Sequence, residues 1–70
     1  MKNFSENQIG TIDPLMTTKD VARILQCSTK TVFRLVRARD IPAVKLGSRD
    51  FRYRTIDIAD YIAKKARGLL

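Results

Sequence analysis

Seventy residues make one small domain, and a chain of this length hides only about 60% of the surface it exposes when unfolded, so its core is thin. Fourteen Lys and Arg against seven Asp and Glu leave a net charge of +7, a self-repulsion that an anionic partner relieves. With no histidine, a single glutamate (Glu6), a single cysteine (Cys27) and no glycine-rich phosphate loop, the composition argues against an enzyme, a disulfide framework or a CxxC zinc site, and predicts neither cofactor nor metal.

The opening "MKNFSENQIG" has one lysine and no apolar run, so it has the pattern of neither a secretory signal nor a transit peptide. No later stretch approaches membrane-spanning length. A cytoplasmic protein with no membrane association is expected. Residues 1–14 are polar and end in Asp13-Pro14, which predicts a flexible N-terminal arm, with the folded domain over 15–70.

A first helix of about ten residues starts in "LMTTKDVARILQ". Thr17 suits its N-cap, Asp20 can reach back as a short capping-box partner, and Met16 with Val21 fits a hydrophobic staple. Val21, Ile24 and Leu25 supply the apolar stripe. Ser28 offers a second N-cap almost at once, and Thr29 to Arg39 follow as the next helix. Two or three residues between helices force a steep crossing, the layout of a helix-turn-helix. Cys27, in that break, is expected to act as a small core hydrophobe.

Ile41-Pro42 then stops helical pairing, and "AVKLGSRDFRYR" alternates with the strand period around a four-residue tip, Gly47 to Asp50, predicting a β-hairpin. Thr55 can cap a third helix from Ile56 to about Arg67, with Ile58, Ala59, Ile62, Ala63 and Ala66 as its buried stripe and Gly68 as its stop. The expected fold is α+β: a small winged helix-turn-helix, three helices with a two-stranded hairpin wing between the second and third. These stripes account for the apolar residues, leaving none over for an exposed apolar face.

The charge is concentrated in one part of the chain. Residues 28–54 hold eight cations and two carboxylates, whereas residues 1–27 balance to zero. At about 100° per residue, Val32, Leu35 and Val36 gather on one side of the second helix, and Lys30, Arg34 and Arg37 gather opposite within roughly 60°. Phe33 lies between the two. A solvated face usually mixes signs, and this one has no acid before Asp40. Three long cations with Thr29 and Thr31 nearby suit a B-DNA major groove, about 12 Å wide. Arg49 at the hairpin tip can reach a phosphate or minor groove, and Arg52 and Arg54 alternate with Phe51 and Tyr53, arginines outward and aromatics inward.

Residues 15–62 resemble the excisionase and MerR-like winged helix-turn-helix DNA-binding domains. The matching pieces are Thr-Thr-Lys-Asp-Val-Ala (17–22), Ser-x-x-Thr-Val-Phe-Arg-Leu-Val (28–36), Ile-Pro-Ala-Val-Lys-Leu-Gly (41–47) and Phe51-Arg52-Tyr53. Two positions depart from the pattern: Gln26 stands where the inter-helix turn usually has glycine, and Tyr61 where tryptophan is common. The resemblance implies Thr29, Lys30, Phe33 and Arg34 as groove-facing residues, Arg37 as a backbone contact, and Ser48 with Arg49 as the wing tip.

It also implies an excisionase, or recombination directionality factor, of a phage or other mobile element. Such a protein binds repeated sites in double-stranded DNA beside an attachment site, bends the DNA, associates cooperatively with further copies and helps an integrase excise. A chain ending at Leu70, without the long dimerisation helix of full MerR regulators, favours this expectation. The alternative is a stand-alone MerR-like transcription regulator binding promoter DNA. A third class, a basic module on RNA or anionic membrane, predicts linear apolar exposure that the assigned stripes do not supply.

Overall fold

The computed structural model describes residues 14–68, so most of the arm expected over 1–14, and Leu69 and Leu70, lie outside the described residues. Three helices and one hairpin follow in the expected order: α1 (Thr18–Leu25), α2 (Thr29–Arg37), β1 (Val44–Lys45), β2 (Phe51–Arg52) and α3 (Thr55–Gly68). The fold is the small winged helix-turn-helix anticipated from the sequence.

The start of α1 is a closed capping box. The Asp20 amide donates to Thr17 Oγ1 at 3.1 Å, and the Thr17 amide donates to the Asp20 carboxylate at 3.1 Å. Two amides that the helix would leave unpaired are thereby satisfied. The carboxylate is held below its ordinary range, first by the Thr17 backbone N–H and also by the Thr17 side chain and nearby Arg23. Met16 packs against the core, consistent with the staple.

The buried face of α1 differs from the expected stripe. Val21 and Ala22 are buried and Leu25 is half-buried, but Ile24 is 50% exposed. Val21, Leu25, Ala22 and half-buried Thr18 share an arc of about 100°, and Ile24 lies about 60° beyond its edge. The apolar spacing was compatible with either arc, and packing chose the one containing alanine.

Gln26 ends α1 in the left-handed region (φ 56°, ψ 51°). The Cys27 amide then donates to the Ala22 carbonyl at 2.9 Å and the Gln26 amide to the Arg23 carbonyl at 3.2 Å, the paired bonds of a Schellman motif. That reversal lets Ser28 cap α2 immediately, its Oγ accepting from the Thr31 amide at 3.1 Å. Cys27 is a free, half-buried thiol packed against the core.

α2 stops two residues earlier than its charge pattern suggested, because Arg39 also turns left-handed (φ 67°). The same motif recurs there: Arg39 donates to the Val36 carbonyl at 3.0 Å and Asp40 to the Leu35 carbonyl at 2.9 Å. The early stop carries Ile41 into the core, where it is 1% exposed, and Pro42 disfavours a helical conformation at Ile41.

Val44 faces Arg52 and Lys45 faces Phe51 in the antiparallel hairpin, and the Leu46 amide closes the loop on the Asp50 carbonyl at 2.7 Å. Asp50 therefore belongs to the closing pair, and the tip is three residues, Gly47 to Arg49, instead of four. An unanticipated third piece extends this sheet. Met16 and Tyr53 exchange both backbone hydrogen bonds (2.8 and 2.9 Å), tying the entry to α1 onto the wing. Tyr53 is fully buried, and its hydroxyl lies 3.1 Å from Thr18 Oγ1.

α3 begins at Thr55, one residue before the expected start, with the Arg54 carbonyl accepting from Asp57 and Ile58. It runs through Gly68, which is helical and not a stop. Only Ile58 of the expected stripe is buried; Tyr61 is half-buried, Ile62 is 42% exposed, and Ala59, Ala63 and Ala66 are exposed. The inward arc is centred between Ile58 and Tyr61, which turns the alanines outward, and the Lys65 ammonium covers the Tyr61 ring at 5.7 Å.

The core is Val21, Ala22, Val32, Ile41, Tyr53 and Ile58, at least one residue from each helix, the wing and the α2–β1 turn. Among the described residues no helix is long and apolar enough to cross a membrane. Exposed Ile24, Leu46, Ile56 and Ile62 correct the expectation that the apolar stripes are fully used.

Candidate nucleic-acid interface

The second helix presents its cations on a fixed base. Val32 is fully buried, with Leu35 and Val36 half-buried beside it, and burying a side chain such as Val32 contributes about 1.5–3 kcal/mol. This anchor sets the rotation of α2, so Thr29, Lys30, Arg34 and Arg37 all face solvent. Lys30, Arg34 and Arg37 follow one another at spacings of four and three, as neighbours along one stripe. Among the described residues none of the three is in a salt bridge.

Phe33 does not stand free in that stripe. Its ring is half-buried against Phe51 of the wing, with centroids 6.0 Å apart and planes tilted by 59°. The tilted rings lie within the usual distance of an aromatic pair, and the contact joins α2 to β2. Phe33 thus sets the position of the wing beside the helix, leaving only part of its ring toward solvent.

The wing residues fall into two groups. Ser48 and Arg49 are exposed at the tip, and Arg49 has no salt bridge among the described residues. Arg52 is folded back: its guanidinium pairs with the Asp50 carboxylate and donates to the Phe51 carbonyl at 3.0 Å. Arg54 is exposed but forked onto Asp57, Nε to Oδ2 at 2.7 Å and Nη2 to Oδ1 at 2.8 Å. That bidentate pair lowers the Asp57 pKa and raises that of Arg54, in each case chiefly through the hydrogen bonds between the two side chains. The expected outward pointing of Arg52 and Arg54 is therefore only half the account, since both also have carboxylate partners in the chain.

Two further cations border the same face. Arg39 and Lys45 join Arg37 around a groove of about 770 Å³ between the end of α2 and β1. The sequence put Arg39 at the end of the second helix and Lys45 in the first strand of the hairpin, but neither was assigned to the interface. The signal available was the Arg37-Ala38-Arg39 run just ahead of Ile41-Pro42, where a chain reversal brings the last turn of α2 beside the following strand.

A basic helix anchored on its apolar side, preceded by a capped helix across a three-residue turn and followed by a wing with a cationic tip, is the layout of a DNA reader of the winged helix-turn-helix kind. No curated protein and no solved structure matches the chain significantly. A family model described as a helix-turn-helix domain matches residues 15–66, nearly the whole described region, and the chain belongs to that family of excisionase-like small DNA-binding domains.

Proposed function

We propose that the protein is an excisionase, a sequence-specific DNA-binding factor that occupies repeated sites near an attachment site, bends the duplex and promotes integrase-mediated excision in the cytoplasm. The observation that carries this reading is the cation stripe of α2, without a salt bridge among the described residues, with Thr29 and part of Phe33 beside it, locked in rotation by Val32. α2 enters the major groove, where Thr29, Lys30 and Arg34 meet base edges and Arg37 a phosphate. Ser48 and Arg49 meet the minor groove or backbone, with Arg52 and Arg54 as supporting backbone contacts. Membership in an excisionase-like family favours excision over other uses of such a surface.

Bending a site by 40–90° costs about 1–6 kcal/mol, more than one small domain comfortably supplies, so neighbouring copies share it. An exposed apolar groove of about 430 Å³, lined by Leu25 and Leu35 with Tyr61, Ile62 and Ala66 of α3, supports contacts to a second copy or to integrase away from the DNA face.

Capturing fragments of the host genome with the purified protein at physiological salt tests the proposal. Repeated sites flanking an integration junction are expected, and Arg34→Ala is expected to weaken their binding by about 1–3 kcal/mol while leaving mixed-sequence duplex much less affected. Enrichment at promoters away from any junction would make the protein a MerR-like regulator. Normal excision in a host lacking the gene would refute the excisionase role.

A further inference from the structure

We propose that Arg39, with Arg37 and Lys45, forms a seat for a single phosphate of the DNA backbone, in the groove between the C-terminal end of α2 and β1. This inference rests on the DNA-binding reading above, which gives Arg37 a phosphate, and adds Arg39 and Lys45 as its further holders. The three cations line the groove from its two sides, Arg37 and Arg39 from the end of α2 and Lys45 from the first strand. All three are exposed, and among the described residues none forms a salt bridge. Val36, Pro42 and Phe51 line the same groove with apolar surface. Guanidinium and ammonium groups above an apolar floor match a phosphate with its deoxyribose.

The backbone of Arg39 gives the second argument. It occupies the position of the Schellman motif at which glycine is strongly favoured, at φ 67°, and its side chain makes no hydrogen bond among the described residues. A long cation kept at a left-handed turn, where it makes no hydrogen bond or salt bridge among the described residues, fits a role in meeting a ligand. The turn also fixes its direction: the bonds from Arg39 and Asp40 back to Val36 and Leu35 hold the Arg39 Cα at the rim of the groove.

The test uses the full chain and a mixed-sequence duplex, because a phosphate contact acts on every sequence. Binding is measured across salt concentrations for the wild type, Arg39→Gly, Arg39→Lys, and Arg23→Ala as a charge control on α1. For Arg39→Gly the slope of log affinity against log salt is expected to shrink by about 0.9, a loss of about eightfold at 0.1 M salt, with a thermal midpoint no lower than wild type. Arg39→Lys should keep the wild-type slope. An Arg39→Gly slope equal to wild type, or an equal drop in Arg23→Ala, would overturn the phosphate seat. Wild-type protein that fails to bind duplex even at low salt would instead overturn the DNA-binding reading beneath it.

Discussion

Replacing Gln26 with glycine should stabilise the protein. Gln26 is the left-handed residue between α1 and α2, it is exposed, and its side chain makes no hydrogen bond among the described residues. A side chain in that conformation costs about 1–2 kcal/mol, while glycine costs about 0.5–1 kcal/mol in extra unfolded-state freedom. The difference is a gain of about 0.5–1 kcal/mol, and a domain of 60–100 residues shifts by about 4–8 °C per kcal/mol, so Tm should rise by about 2–8 °C. Thermal unfolding followed by circular dichroism measures this, with Gln26→Ala as the comparison. Alanine keeps the Cβ that creates the strain, so it should leave Tm nearly unchanged. If glycine and alanine move Tm together, the strain account of this turn is wrong.

Three other outcomes follow from particular contacts. Tyr53→Phe removes the hydroxyl beside Thr18 Oγ1 while keeping the buried ring, and should lower stability by about 1 kcal/mol; no loss in thermal unfolding would mean that water serves Thr18 equally well. Asp20 and Asp57 have lower pKa values folded than unfolded, so the stability they contribute is full above an unfolded carboxylate pKa of about 3.9 and disappears as pH falls through their folded values. Tm should therefore be flat in this respect from pH 7 to 5 and decline below about 4, and the Asp20→Asn, Asp57→Asn double variant should decline less. Asp57→Asn should also free Arg54 and raise affinity for DNA, and this gain should be largely absent in an Arg54→Ala background; a gain of the same size in both backgrounds would mean that only net charge changed.

Much of the fold was legible because its signals are local. Thr17 with Asp20, and Ser28 just after the break, are cap chemistry that a sequence displays within four residues, and both caps form. The strand period of residues 43–54 placed the hairpin for the same reason. The arc of α2 was read correctly, but those of α1 and α3, which depend on how the helices meet the rest of the molecule, were not. Ile24 and the alanines of α3 satisfied a helical period yet face solvent, because no further layer among the described residues covers them. The Met16–Tyr53 pairing was equally invisible, since it joins residues 37 apart that carry no pairing signature of their own.

The candidate site was legible in its charge and not in its pairing. Eight cations between residues 28 and 54 marked the face, and the period of α2 separated Lys30, Arg34 and Arg37 from the apolar anchor. Net charge alone would rank Arg52 and Arg54 with Arg34 and Arg49. The geometry divides them: Arg52 and Arg54 sit against Asp50 and Asp57, whereas the cations of α2 and the wing tip have no carboxylate partner among the described residues. A paired guanidinium must give up or share a charge-assisted hydrogen bond before it meets a phosphate, so its net contribution to affinity is smaller than that of a free one. On the proposed reading the free group would set the strength of binding, with Arg52 and Arg54 held within the wing and at the start of α3 by their carboxylate partners. This division also gives Arg39 its interest: it belongs to the free group and stands at a turn where glycine would be the less strained residue.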